Sequence, residues 1–383
     1  MEAELKRLVR RAAPACVDLK PKRDGDSSLI YPFHPELAWM AVRYLRTPSR
    51  ALWSLYATTS LRLEPLYEEL VELVAADTRG WLADGFGISV YAKDFEEFPA
   101  GQLQIQGTVK NAIIEGAARR GMALHLQPER PDLLISVRGS PPVVSVDLAG
   151  GSLHQRGWRL DRAEAPLREN VAAQMLMLAR WDPRHEALVD PMAGSGTLPI
   201  EAALMARGAP LRKHTQPLAR RLPALAALAA ASAEAPDLFP GTHAPIVAHE
   251  RSTRELERLR TNATRAGVGQ AVTILHGDFR DLAPERLAAA LSGDATDILP
   301  EAGLVIVNPP YGVRLEADES DDNLDELYAR LCDWVLGLGP RWRIAILGLP
   351  DRIERVFGRE PDLKKPLPNG GLGTYLFVYS QRG

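Results

Sequence analysis

Cysteine is nearly absent: Cys16 and Cys332 are the only two in 383 residues. That number excludes a disulfide framework and a cysteine-rich zinc cluster, and two unpaired thiols suit a reducing compartment. Long hydrophobic runs are missing as well. No window approaches the roughly 18 uncharged apolar residues a membrane helix needs, and the alanine-rich stretch 223–233 is too short. The opening MEAELKRLVRRAAP has acids at positions 2 and 4 and no apolar core behind them, so it does not read as a secretory signal. A cytoplasmic protein is expected, with no membrane, no metal and no obligate protein partner. An excess of basic charge is lacking too, since the formal net charge is −3. Its distribution is uneven: residues 1–50 hold ten Lys or Arg against six Asp or Glu, and residues 51–100 hold three against nine. One basic face or ordinary solvated helices would both produce that asymmetry.

What is present falls into two textures, and 383 residues is too long for one ordinary core. In the first half, residues 2–12, 34–46, 63–75 and 108–121 read as helices and 88–95 as a strand. Residues 132–139 and 142–149 read as an antiparallel pair joined at Gly139-Ser140-Pro141. This is a small α+β region or two. A helical rhythm over 167–181 follows a polar connection at 151–162. Beyond it, apolar runs at 187–190, 245–249, 272–275, 304–307 and 343–347 alternate with helical patterns at 197–206, 252–266 and 323–337. Such alternation predicts a mostly parallel sheet covered by helices on both faces. TYLFVY, 374–379, fits an antiparallel strand added at the end. Residues 208–244, with Pro, Ala and basic residues between the first helix and second strand of this half, read as an elaboration or a surface excursion.

The chemistry is concentrated where those strands end. LVDPMAGSGTLPIEAAL, 188–204, carries Asp190, then a turn with Gly194 and Gly196, then a helix opening near Thr197. Glycines there let a ligand approach the main chain, at the edge where open α/β sheets bind ligands. A phosphate-binding loop would need Gly-Lys-Ser/Thr, and no lysine stands here; a dinucleotide fingerprint would need a third glycine, where Pro199 stands. A carboxylate under the turn suits an amine instead. Glu250, past the second strand, can accept from both hydroxyls of a ribose. Asp278 and Phe279, past the third, can hold an exocyclic adenine amine and cover a ring face. An amine, a ribose and an adenine without a pyrophosphate seat fit S-adenosylmethionine better than NAD or ATP.

The fourth strand runs LVIV into Asn308-Pro309-Pro310-Tyr311-Gly312. Two prolines fix two φ angles and remove two donors, so the Asn308 amide oxygen and the Pro309 carbonyl can converge beside the flat ring of Tyr311. The guest this suits is a planar ring with an exocyclic NH₂. Such an amine is a poor nucleophile, because its lone pair is delocalised into the ring. Two acceptors hold it and aim the lone pair in line with a methyl donor, so proximity and orientation carry the reaction.

DPMAGSGT, NPPYG and their spacing resemble the class I S-adenosylmethionine-dependent amino-methyltransferases, and more particularly the THUMP-containing RNA guanine-N2 methyltransferases, among them the bacterial 23S rRNA enzymes. TVKNAIIEGAARRG and DLLISVRG…VVSVDLAGGSLHQRGWR resemble the THUMP region and its exit. CVDLKPKRDG…AWMAVRYLRTPSRAL resembles the ferredoxin-like part that precedes it, and PLPNGGLGTYLFVY the closing strands.

The resemblance implies a Rossmann-like, seven-stranded class I methyltransferase domain over 183–383, reached by a linking helix at 163–182. Ahead of it would lie a ferredoxin-like part at 1–60 and a THUMP-containing region at 61–162. It implies that Asp190, Pro191, Ala193, Gly194, Gly196 and Thr197 line the methionine end of the cofactor. Glu250 would take the ribose, Asp278 and Phe279 the adenine, with Asn308 adjoining. Asn308, Pro309, Pro310 and Tyr311 would receive the target base. The implied product is N2-methylguanosine in 23S rRNA. The catalytic motif alone would serve an adenine N6 amine equally, and a tRNA substrate or a non-catalytic RNA-binding, ribosome-assembly role are the other readings. The family pattern has a small residue before its ribose acid, whereas His249 precedes Glu250 here. The start at MEAELKRL resembles the interior of the family's first helix, and a second methyltransferase domain fused in some relatives is not expected. RNA would be held by shape and phosphate contacts while one unstacked base enters the pocket. The candidate phosphate contacts are Lys110, Arg119, Arg120, Arg156, Arg159 and Arg314.

Overall fold

The computed structural model describes residues 1–25, 28–95, 98–139, 141–159, 167–211, 218–231, 235–292, 298–311 and 321–381. Two units divide the chain: Met1–Leu153 with Leu211–Ala235, and His154–Pro210 with Pro236–Gly383. Among the described residues no helix is long and apolar enough to cross a membrane.

The first unit opens with helix α1 (Glu2–Ala12), the short exposed strands β1 (Lys22–Asp24) and β2 (Ser28–Ile30), and helix α2 (Pro35–Tyr44). Then come β3 (Leu52–Ala57), α3 (Leu63–Ala76), β4 (Gly87–Lys93), α4 (Gln102–Arg119), β5 (His125–Leu126), β6 (Leu133–Arg138) and β7 (Val143–Asp147). The sheet order is β3-β7-β6-β4-β5. β6 and β7 pair antiparallel as expected, with Ile135 opposite Val146. The contact between α3 and α4 needs Gly116, because a Cβ there would stand 2.6 Å from the Val74 Cβ and 2.8 Å from the Val71 carbonyl.

The second unit starts with α5 (Glu169–Leu178), β8 (Ala187–Asp190) and α6 (Thr197–Arg207). The chain then leaves it for residues 211–235, which include α7 (Ala226–Ala231). The expected surface excursion is corrected at this point. Leu211, Ala219, Leu222 and Leu225 are buried in the first unit's core, and the segment is tied down by the bonds Leu211 N–H to the Arg43 carbonyl (2.7 Å), Ala219 N–H to Leu148 (2.8 Å) and Ala224 N–H to Gly80 (2.9 Å). Its apolar residues are spaced for core packing, and its proline and basic residues hid that.

The second unit resumes with β9 (Ile246–Glu250), α8 (Thr253–Ala266), β10 (Thr273–His276), α9 (Pro284–Ser292), β11 (Gly303–Val307), α10 (Asp321–Gly337), β12 (Trp342–Gly348), α11 (Pro350–Phe357), β13 (Leu363–Pro366) and β14 (Tyr375–Ser380). The seven strands order as β10-β9-β8-β11-β12-β14-β13. β10, β9, β8, β11 and β12 are parallel, and β14 is antiparallel to both β12 and β13. Alternate residues serve opposite faces: Leu188, Ala248, Leu304 and Ile306 enter one apolar cluster, while Val189, Val247, Val305 and Val307 enter another. Burial on both faces is why these strands read as unbroken apolar runs. The chain goes outward from β8 through β9 to β10 and returns to β11 on the other side of β8, so the sheet's switch point lies between β8 and β11. This is the Rossmann-like α/β arrangement the sequence implied.

Candidate functional site

At the carboxyl end of β8 the chain turns through 191–196 into α6, and every part of that turn is held. Asp190 Oδ1 accepts the Met192 N–H at 3.2 Å, and Glu250 Oε2 accepts the Gly194 N–H at 2.8 Å. The His249 carbonyl accepts the Ala193 N–H at 3.0 Å, and Asn262 Nδ2, from α8, donates to the Ser195 carbonyl at 3.0 Å. Gly194 has φ +52° and Gly196 φ +91°, both in the region that favours glycine. Their surroundings differ. A Cβ on Gly196 would meet Leu259 Cγ at 2.8 Å, whereas a Cβ on Gly194 would have no neighbour within 4 Å. Gly196 therefore serves the turn and its packing, whereas Gly194 has open space where a side chain would stand.

Beside this turn is a cavity of about 310 Å³ lined by the ends of several strands: Pro191 and Met192, Glu250 and Arg251, Gly277 to Arg280, Asn308 and Pro310, with Leu324 and Leu327 from α10. The volume is at the lower end of small-molecule sites. Glu250 uses one oxygen for Gly194 and the other for the Ser252 N–H at 2.7 Å. A carboxylate offers about four lone-pair positions, so these two bonds leave two of them unspent. Its longer reach, relative to an aspartate, is what lets it bridge the β9 end to the β8 turn. Asp278 is clamped by Arg280, whose Nη2 lies 2.6 Å from Oδ2, and this guanidinium holds the carboxyl down at about 2. Phe279 is buried, edge-on to Trp334 at 5.9 Å.

Asp190 lies behind the turn, 1% exposed, and does not line the cavity. Burial pushes its pKa well up, the Met192 N–H opposes this, and the charge of Glu250 adds to it. The next residue upstream of Glu250, His249, is fully buried, with neither ring nitrogen hydrogen-bonded among the described residues. Burial above all holds its pKa down, keeping the imidazole neutral. Gly277, at φ +144°, passes close to that ring: a Cβ on it would stand 3.4 Å from His249 Nε2.

The loop after β11 is pinned from behind. Tyr328, from α10, donates to the Pro310 carbonyl at 2.8 Å, and Arg352 Nη1, from α11, donates to the Tyr311 carbonyl at 3.2 Å. Asn308 is half-buried and faces the cavity; Pro309 is buried. The Tyr311 hydroxyl donates to Asn308 Oδ1, its ring packs partly against the apolar cluster of one sheet face, and burial pushes its phenol up to about 12.

Two of the residues expected near RNA are placed differently. Arg156 is fully buried and paired with Glu201 at 3.1 Å, so it offers nothing to a phosphate, and that expectation is corrected. Arg159 is mostly buried, donating to Thr197 Oγ1 at 2.6 Å and to the Leu167 carbonyl at 3.1 Å, with Glu169 3.5 Å away. It is a strut inside the second unit, and Thr197 is buried beneath it rather than turned to the cavity. Arg120 donates to the Val74 carbonyl. Arg119 is exposed and engaged by Glu72 and Glu115, and Lys110 is half-buried on α4. Arg314 lies outside the described residues. Conversely, Met192, Arg251, Gly277, Arg280, Leu324 and Leu327 were not anticipated at the cavity. Only Gly277 left a sequence signal, a glycine directly after a strand.

The family model UPF0020, RMKL-like, methyltransferase domain, matches residues 156–376. The chain is 33% identical over 289 residues to the ribosomal RNA large subunit methyltransferase K/L of Photobacterium profundum, covering 71% of this chain and 37% of that protein. It thus spans well under half the length of that relative. Among solved structures, a predicted N6-adenine-specific DNA methylase from Listeria monocytogenes superposes with a TM-score of 0.77 at 23% identity, over 98% of this chain and 93% of that one. SMU.472, a putative methyltransferase complexed with SAH, gives 0.77 at 24% identity over 99% and 96%. Those two likenesses establish a shared fold. By the family match over more than half its length, the chain belongs to the UPF0020 family of RMKL-like methyltransferase domains.

Proposed function

We propose that this protein binds S-adenosylmethionine in the cavity beside the Gly194 turn and transfers its methyl group to an exocyclic amine of an RNA base, the N2 amine of guanine in 23S rRNA. The observation that carries the reading is the shared cavity: Asn308 and Pro310, on a doubly pinned loop, face the same space as Glu250, Asp278 and Phe279. The residues suit that cofactor. Gly194 leaves an opening on the main chain, Glu250 keeps two acceptor positions for a ribose, and Asp278 beside Phe279 offers an acceptor next to an aromatic face. When bound, the cofactor supplies an electrophilic methyl group on a sulfonium sulfur.

The chain's own residues then do the positioning. Asn308 Oδ1 and the Pro309 carbonyl accept from the two N–H bonds of the base amine, favouring a pyramidal nitrogen whose lone pair points at the methyl carbon. The Tyr311 hydroxyl, which donates to Asn308 Oδ1, orients that amide until the base takes its place. No strong base is required beforehand, because the nitrogen becomes acidic as its bond to carbon forms. The first unit is proposed to hold the RNA, in the manner of the THUMP-containing region it resembles, with Lys110, Arg119 and Arg120 as contacts.

The substrate assignment rests on the resemblance and on the name of the Photobacterium relative. Deleting the gene and digesting rRNA and tRNA for mass spectrometry tests it. Loss of N2-methylguanosine from 23S rRNA supports the reading, and loss from tRNA alone moves it to the tRNA alternative. Loss of N6-methyladenine would assign the pocket to adenine. Unchanged nucleosides, with no transfer by the purified protein, would leave an RNA-binding assembly role. Asn308→Ala is expected to lower single-turnover transfer about 10²-fold, the scale of a lost alignment contact. Cofactor affinity measured by calorimetry should change far less, and equal losses in both would oppose the role given to Asn308.

A further inference from the structure

In the first unit, far along the chain from the strand-end cavity, three side chains of different metal-ligating type converge. Cys16 closes the turn Pro14–Cys16 and is 2% exposed. His34 is the residue before α2, and Glu36 stands in that helix's first turn. Cys16 Sγ is 3.1 Å from His34 Nδ1, and one ligand atom from each of the three lies within 4.8 Å of the others.

Two details separate this group from a chance cluster. Glu36 Oε2 is buried and has no hydrogen-bond partner among the described residues, a costly condition for a carboxylate oxygen unless something binds it. His34, although at the helix N-cap, makes no side-chain capping bond, and its ring is turned to Cys16 instead. From zinc's bond lengths to sulfur, nitrogen and oxygen, tetrahedral ligands stand about 3.3–3.6 Å apart. The three groups would reach that spacing by side-chain shifts on the order of 1 Å.

We propose that Cys16, His34 and Glu36 form a Zn²⁺ site with a fourth position left to water. Thiolate, imidazole and carboxylate together favour zinc over magnesium or calcium, which want oxygen alone. Two cysteines in the chain rule out a cysteine-rich cluster but not this mixed set. The site also has a mechanical logic. Residues 17–33 between the ligands carry the β1–β2 pair, whose positions are exposed or half-exposed and bring no core of their own. Phe33 stacks on Trp53 at 3.7 Å at one end of that segment. A metal at its base would clasp the turn before it to the helix after it.

The test is titration of the full, metal-stripped chain with Zn²⁺ followed by calorimetry, and with Co²⁺ followed by absorption. One equivalent of Zn²⁺ should bind, and Co²⁺ should give a near-ultraviolet thiolate-to-metal band. Cys16→Ser should abolish the band. Cys332→Ser, which removes the other thiol, should leave it. Glu36→Gln, the mildest change and the variant to use if Cys16→Ser fails to fold, should keep the band but weaken zinc binding tenfold or more. No stoichiometric binding by the wild-type chain would overturn the proposal. So would a band that survives Cys16→Ser or disappears in Cys332→Ser, or unchanged affinity in Glu36→Gln.

Discussion

Asp190 ends β8 and Asp278 stands two residues beyond β10 in the same sheet, yet their surroundings drive their acidities apart. Arg280 keeps Asp278 ionised, while burial favours the neutral form of Asp190. A raised folded-state pKa means that, between the unfolded and folded values, the native state binds the extra proton. Stability from this group is therefore present at low pH and is lost as pH rises through that interval. Asp190→Asn should remove that loss. Ligand-free protein carrying the substitution should melt higher than wild type near neutral pH, with the difference fading toward pH 4. Thermal unfolding of the ligand-free proteins across pH checks this. A lower melting temperature for ligand-free Asp190→Asn at neutral pH would show that the carboxylate is tolerated better than its burial implies.

Elements are held in place by contacts that no residue announces singly. The segment around Arg156 is joined to α6 by an ion pair with Glu201 in which both side chains are wholly buried. Removing one partner of such a pair leaves the other charged and uncompensated, at a cost of about 3–5 kcal/mol. Arg156→Ala should accordingly lower the unfolding free energy by that amount, read from the denaturant midpoint. RNA affinity, measured where the variant is still folded, should be unchanged. The reverse pattern, weaker RNA binding at full stability, would restore Arg156 to the phosphate contacts. The α3–α4 contact sets a different limit. Adding one methyl group at Gly116 meets backbone and Val74 at under 3 Å, so Gly116→Ala should destabilise by about 1–3 kcal/mol. Equilibrium unfolding would read this directly. The expected helices matched the structure most closely where one apolar face repeats, as in α3 and α8, because that period survives any packing. β13 escaped notice for the opposite reason. It is an exposed edge strand, Leu363–Pro366, whose two lysines protect an open edge and erase the apolar signal.

At the scale of the whole molecule, the chain crosses between its two units more than once. Residues 211–235 leave the second unit, complete the first, and return. Four of their apolar side chains, Leu211, Ala219, Leu222 and Leu225, are buried among those of 1–153. A fragment ending at residue 153 should therefore expose part of its core and lose cooperative thermal unfolding. Linking 211–235 back to it through a flexible tether should restore a sharp transition. If the short fragment melts as sharply as the tethered one, the segment is dispensable to that core.

Local sequence was sufficient for the parallel-strand pattern, the glycine turn after Asp190 and the rigid loop after Val307. Buried strands must be apolar, a turn needing φ > 0 wants glycine, and consecutive prolines stiffen a chain wherever they occur. Tertiary structure alone decided which of these features share a space. It turned Arg156 and Arg159 inward, spent two of Glu250's acceptor positions on main-chain N–H groups, and gathered Cys16, His34 and Glu36 at one point. Such outcomes depend on distances between residues remote in the chain, and a charged side chain's spelling is the same whether it meets water, a phosphate or a buried partner.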